Sequence, residues 1–461
     1  MRRLWRILAS NRDLRLLLGA NLISLTGDWI LRTGLAYQVY VLTGSTLASA
    51  GSVLASLLPQ IALGSVAGVY ADRWDRRRTM VVANLLMVVA LLPLLAVQHA
   101  GQVWLVYLVI AVQSCLAPFF TSAEAALVPS LVANDHLVTV NSLNGQARDV
   151  ARLVGAALGG VIAAIGGIAL LSLADMMTFA LAAGLLCRIR TRPRSGSARR
   201  TPVLGEWAEG MRIGLASRVL RVFLAFTVIT GVGEAIMGTL IAPFVRDVLG
   251  GDARAFGVIM AAQAVGGIVG GVVATLIGHH FAPRAMFGWG TLAFGALDLV
   301  LFLYPLATPV LWPAPVLIAL VGLPAALLTA GGMTVFQNAT TDDHRGRIFG
   351  AMTAVNGAAM LLGTIAAGTL GERIGILPVL ATQGAAYCLA GVVVLLALPV
   401  PPPTQRQPRT REMAATKNYQ TGNSEVSGGP DGERRYRRPP LTRQSAAGAG
   451  LPRLGHAVVG T

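Results

Sequence analysis

Twelve apolar stretches, each about 20 residues or longer, alternate with short polar segments along the chain. They cover 14–41, 46–71, 79–98, 102–124, 144–166, 168–188, 219–245, 254–278, 285–304, 310–333, 348–371 and 376–398. A run of that length can cross the hydrocarbon of a bilayer, where backbone groups must bond within their own segment. Each run is therefore predicted to be a membrane-spanning helix. Twelve is even, so both ends of the chain fall on one side.

Charge orders the polar segments. Between the second and third runs stands Asp72-Arg-Trp-Asp75-Arg-Arg-Arg78, with four arginines and two aspartates. Further arginines fall in alternate loops: Arg2 to Arg15, Arg188 to Arg200, Arg284, Arg345 and Arg347. The other loops, Thr43–Thr46, Gln98–Gln102 and Ala307–Pro309, carry no positive charge; Arg246, Arg254 and Arg373 are the exceptions on that side. Positive loops stay cytoplasmic, so both termini are predicted there, in a cell (plasma) membrane.

Composition agrees. Of 461 residues, 54% are hydrophobic and 13% charged, against about a quarter charged in soluble domains. Mean hydropathy is +0.64. The net charge of +16 does not indicate nucleic acid, because the arginines lie in alternate loops and the tail, not on one soluble face. Cys115, Cys187 and Cys388 sit far apart inside apolar runs, with no disulfide or metal spacing. Met1-Arg-Arg-Leu-Trp-Arg resembles a signal n-region. The span after it is too long and carries Asp28 and Arg32, so an uncleaved first helix is expected.

The polar stretch 189–218 divides the spans six and six, giving halves at 1–188 and 219–398. Beyond 399 the chain is rich in Pro, Ser and Gly, with the basic cluster Arg434-Arg-Tyr-Arg-Arg438. It is expected to be a disordered, solvated tail, with contact to anionic lipid as the other reading. Sliding the second half over the first puts Gly233-Glu234 on Gly27-Asp28, Gly257 on Gly51, Gly270 on Gly64 and Met286 on Met80. A slightly longer offset puts Gly363 on Gly155, Gly368 on Gly160 and Gln383 on Asp175. Two parallel copies of a six-helix unit result, a plan that in transporters places substrate between the halves.

Gly68-x-x-x-Asp72-Arg73-x-x-Arg76-Arg77 then resembles the loop 2–3 signature of the major facilitator superfamily. Leu42-Thr-Gly-Ser45, Ala126-Leu-Val-Pro129 and Arg345-Gly-Arg347 look like the branch of macrolide-efflux proteins and the enterobactin exporter. The resemblance implies an all-α fold of two six-helix halves. It also implies that Asp72 and Arg73 help hold the cytoplasmic ends together in the outward-facing state. An acid at a helix end can break and reform an ion pair as two bodies rock; Arg76 to Arg78 need only fix topology. Gly155-Ala-Ala-Leu-Gly159-Gly160 resembles the antiporter motif of span 5, with Ala156 in place of its proline. Such glycines are equally what close helix packing requires.

Asp28 lies about 21 Å into its span, at about 1.5 Å per residue. A mid-membrane carboxylate costs roughly 2.5–3.5 kcal/mol or more and so faces a cavity or a partner. Asn21, Ser24, Asp28 and Arg32 form one stripe, in which Arg32 can pair with Asp28. Glu234 repeats the depth of Asp28 with no basic neighbour within a turn. Three uses remain open at this stage: carrying protons, binding a cationic substrate, or a fixed ion pair that orders the bundle. Asp175 and Asp298 are further intramembrane acids expected to face the cavity. Arg148, Asp149 and Arg152, near the cytoplasmic end of span 5, form either a gate network or a simple anchor, and Glu124, at the end of span 4, is expected to meet the two arginines.

Nothing indicates catalysis, a cofactor or a metal. No Walker loop is present, and the tandem His279-His280 lacks companions at ligand spacing. The pattern points to a monomeric secondary transporter in the bilayer, exporting a hydrophobic or amphipathic small molecule by alternating access against protons. A nutrient importer or uniporter is the second reading, and a membrane sensor or scaffold using the tail is the third.

Overall fold

A computed structural model describes residues 11–71, 74–132, 134–190, 211–213, 215–340 and 342–399. Within them the chain is helical: α1 Arg12–Thr43, α2 Thr46–Ala71, α3 Arg76–Leu91, α4 Val103–Leu131, α5 and α6 within Asn134–Leu186, α7 Arg218–Pro243, α8 Ala253–Ile277, α9 Pro283–Leu303, α10 in two pieces (Pro313–Leu320 and Gly322–Ala339), α11 Asp342–Ile374 and α12 Ile376–Ala397. Asn134–Leu186 is continuous except at Gly167, whose φ of 55° and ψ of −149° break it into two spans. Twelve spans result, six to each half. The chain is an all-α multi-pass membrane protein.

Side chains satisfy several of the helix termini. Asn11 caps α1 by accepting from Leu14 N at 3.0 Å, and its amide donates to Leu131 O at 2.6 Å, tying the start of α1 to the end of α4. Asp75 caps α3 through Arg78 N. Arg77 donates to the carbonyls of Leu186 and Cys187 at the end of α6. One repeat later, Arg284 donates to Leu395 O at the end of α12. Two carbonyls at the end of α6 and one at the end of α12 thus find a guanidinium.

The outer surface is apolar. Ile165, Leu306, Leu362 and Leu396 are largely exposed, as lipid contact requires. The buried residues fall into three cores. One joins both halves, with Leu35, Val39 and Leu171 from the first and Phe244, Phe256 and Ala367 from the second. The second belongs to the first half alone (Leu14, Leu17, Met80, Leu127, Leu186) and the third to the second half alone (Leu220, Phe223, Phe287, Phe336, Val394). The two separate cores lie toward the face where α1 begins, here the terminal face. The shared core lies toward the opposite face.

Several expected boundaries move. α4 runs to Leu131 and α5 begins at Asn134. Glu124 is thus inside α4 rather than at its end, and Arg148 is several turns into α5. Polar residues extend α5 before the apolar run, and α4 continues past Glu124 through Ala125-Ala-Leu-Val-Pro-Ser-Leu131.

Candidate functional site

Glycines carry the contacts between halves. At Gly160 on α5 a Cβ would stand 2.5 Å from Ala253 O and 2.7 Å from Gly257 Cα on α8. One repeat later, a Cβ at Gly368 on α11 would meet Ala50 and Leu47 on α2 at 2.7 and 3.2 Å. Backbones this close admit only glycine. Gly155 and Gly159 instead press on α1, at Thr26, Trp29 and Ile30. The predicted packing motif therefore joins α5 to its own half through two glycines and to the other half through the third.

Polar contacts reinforce this junction at the opposite face. Tyr37 Oη donates to Gly251 O at 2.9 Å, and Tyr40 Oη donates to Asp247. Arg246 donates to Tyr40 O at 3.1 Å and lies over the Tyr40 ring. Ser45 donates to Glu372, and Thr46 Oγ1 to Gly368 O at 2.8 Å. Arg246 and Asp247 sit on a π-helical turn, Phe244–Val248, that extends α7; such turns recur at functional sites. Sequence reasoning passed over these residues. The signal was present, because Arg246 stands out in loops otherwise free of positive charge.

The mid-membrane acids separate into two kinds. Asp28 is half-buried and Glu234 exposed. On α7, Gly231, Val232 and Ala235 face α11 and Gly233 faces α12, which leaves Glu234 on the remaining side. Phe223, Thr227 and Thr230 share that side by helical spacing. On α1, Gly27 faces Asp175 and Thr178 of α6 while Thr26 and Ile30 face α5. Asp28 occupies the equivalent side.

Asp175 and Asp298 do not face a cavity. Asp175 is fully buried between α1 and α6, where Thr178 donates to its Oδ1 at 3.1 Å. Asp298 is 1% exposed and accepts from Gln383 Nε2 at 2.6 Å. Gln383 is the repeat mate of Asp175, so the second half meets the same buried position with an amide and borrows its acid from α9.

Other expectations are revised. Arg32 forms no salt bridge with Asp28. It is exposed, with its guanidinium 5.5 Å from the Trp29 ring centre, so a ring three residues back takes the place of the carboxylate. Glu124 is 5% exposed and accepts from the amides of Asn21 and Asn144, not from arginines. Arg148 and Asp149 are exposed, and no partner for either is present among the described residues. Arg152 reaches toward Gly267 of α8. Arg76 donates to Ala126 O at 2.8 Å, and with Arg77 it binds within the first half. Asp72, Arg73 and the surroundings of Gly68 lie outside the described residues.

Between α7, α10 and α11, on the terminal-face side of the second half, lies a cavity of about 350 Å³. Its wall is largely apolar, with Phe226, Phe349, Met333 and Met352 foremost, and Asn356 at its deep end.

These features can be set beside known proteins. Residues 9–422 match the family model described as transmembrane secretion effector. The chain belongs to that family of major facilitator transporters. Among its relatives, the multidrug efflux pump Tap of Mycobacterium tuberculosis is 29% identical over 375 residues, covering 78% of this chain and 87% of Tap. Macrolide efflux protein A of Streptococcus pyogenes is 21% identical over 359 residues, covering 77% and 88%. A bacterial homologue of the iron transporter ferroportin, solved in an inward-facing state, shares the fold at a TM-score of 0.68 and 17% identity, covering 83% of this chain and 98% of its own. Family and relatives make the chain a membrane transporter and not an enzyme. As a major facilitator transporter it is organised around two halves whose described contacts run from mid-depth to the opposite face.

Proposed function

We propose that the protein is a proton-driven exporter of hydrophobic or amphipathic small molecules, working by alternating access in the cell membrane. One chain supplies both halves, so a monomer suffices. The arginine-rich terminal face is assigned to the cytoplasm. On that assignment the described contacts between the halves lie from mid-depth to the outside, as in an inward-open arrangement that receives substrate from the cytoplasm. The efflux names of two relatives agree with this direction.

Glu234 carries the coupling reading. It is an exposed carboxyl at mid-depth, on the face of α7 that also lines the apolar cavity. A carboxyl there can take up and release a proton as access alternates. Asp28, on the equivalent face of α1, is its counterpart. A proton moving down about 100 mV releases about 2.3 kcal/mol, enough for roughly a 50-fold gradient of a neutral solute at about 1.4 kcal/mol per decade. Asp72 and Arg73 are proposed to latch the cytoplasmic ends in the outward-open state.

Glu234→Gln is expected to abolish efflux driven by an imposed pH gradient in vesicles while the protein remains inserted and folded. Wild-type rates in that variant would refute the coupling role.

A further inference from the structure

The α7–α10–α11 cavity is more specific than an apolar gap. Phe223 stacks on Phe287 with ring centres 5.0 Å apart, and Phe226 meets Phe287 edge-on at 4.7 Å. Phe336 meets Phe223 at 5.9 Å and Phe349 at 6.3 Å, both edge-on. Three of these rings are buried, while Phe226 is half-buried and Phe349 is 54% exposed. The ring network therefore stops at the cavity with two rings unfinished. Offset and edge-to-face pairs favour a further aromatic ring over a chain of the same area. Met333 and Met352 border the same space, and thioethers make favourable contacts at ring edges.

The polar capacity is small. Of the four lining threonines, Thr230, Thr329 and Thr353 donate their hydroxyls to their own helices, which leaves Thr227 on α7. Asn356 has one weak contact, to Met360 Sδ at 3.5 Å, which leaves amide capacity at the deep end. No charged side chain lines the cavity. Glu234 lies one turn beyond Thr230 on the same face of α7.

The repeat does not require this chemistry. The mates of Phe349, Met352 and Asn356 are Asn141, Asn144 and Arg148, and the mate of Thr227 is Asn21. At the same depth the first half holds the Asn21–Glu124–Asn144 network. One half is aromatic where the other is amide and charge. A volume of about 350 Å³ falls at the small end of ligand pockets, roughly 300–1,000 Å³.

We infer that this cavity is the subsite for a neutral aromatic portion of the transported molecule, whose polar end is met by Asn356. The inference rests on the reading of the chain as a small-molecule exporter and names what that site holds.

The test is photolabelling of the purified full chain in lipid nanodiscs with benzophenone, a neutral two-ring ketone, with adducts located by mass spectrometry. Labelling of Met333 and Met352 is expected to saturate. Labelling of Met177, 63% exposed on the outer surface, is expected to rise linearly as the probe partitions into lipid. Phe349→Ala should raise the half-saturating concentration roughly tenfold, equivalent to about 1.4 kcal/mol. Phe349→Leu, which keeps apolar bulk without a ring, should recover little of that loss. Non-saturating labelling at Met333 and Met352, or equal saturation in wild type and Phe349→Leu, overturns the aromatic subsite. No gradient is applied, so the outcome is independent of whether Glu234 couples protons.

Discussion

Glu124 is a carboxyl buried where polar groups are costly, and its two amide partners explain how it is tolerated. A buried carboxylate needs donors, and Asn21 and Asn144 supply them from α1 and α5. The carboxylate thereby joins three helices of the first half. Glu124→Gln keeps an oxygen that accepts, so its melting temperature should stay near wild type. Glu124→Leu leaves the buried Asn21 amide with only its 3.4 Å bond to Asn144 Oδ1 and the half-buried Asn144 amide without its acceptor, at about 1–3 kcal/mol, and should melt measurably lower in a fluorescence scan of the detergent-solubilised protein. Equal melting of the two variants would remove this role. The sequence showed that Glu124 had to be satisfied but not by what. Arginines attract attention as partners, yet Asn21 was already visible in the polar stripe of α1. What could not be seen was that α4 continues past Glu124 and α5 begins before the apolar run, which turns Glu124 inward and leaves Arg148 outside.

The elements were legible where they are apolar and illegible where they are polar. All twelve spans follow from runs that can satisfy their backbones only as helices. The starts of α5 and α11 do not, because their first turns carry Asn, Asp, His and Arg, and the end of α4 does not, because Glu124 interrupts its apolar run before Leu131. The junction of α5 and α6 is a different case, since the hydropathy of the two spans is nearly continuous. It rests on Gly167, whose φ of 55° with ψ of −149° is close to a region that only glycine enters freely. Nothing crowds its missing side chain, so the conformation alone demands glycine. Gly167→Ala should destabilise the protein by about 1–3 kcal/mol. At Gly184, where a Cβ also meets nothing and the backbone is helical, alanine should be neutral or slightly stabilising. Thermal melting of the pair of variants measures the difference, and equal melting would show that α5 and α6 do not depend on this turn.

At the scale of the molecule, alternating access requires that the junction seen at the opposite face be able to open. The glycine crossing at Gly160 brings backbones together with little to hold them but close contact, while that at Gly368 carries the bond from Thr46. The directional bonds to carboxylates are Tyr40–Asp247 and Ser45–Glu372. Both pairs link the ends of α1 and α2 to the ends of α7 and α11, and both acids are near the surface. Asp247 is half exposed and stands 3.9 Å from Arg246, so solvent weakens each bond. A combined contribution of about 1–2 kcal/mol is a fair expectation for two such bonds to charged groups. Asp247→Asn combined with Glu372→Gln should therefore shift the ratio of the two states roughly tenfold toward opening at this face. Spin labels at Gln98→Cys and Thr308→Cys, in a background without Cys115, Cys187 and Cys388, report the gap between the loops of the two halves. The longer-distance population should grow in the double variant. An unchanged distance distribution would mean that the shared apolar core, and not the polar latch, holds the halves together. Transport would then be gated by the separation of Phe256, Phe244 and their neighbours from α1, a step with a larger apolar area to expose and a correspondingly slower opening.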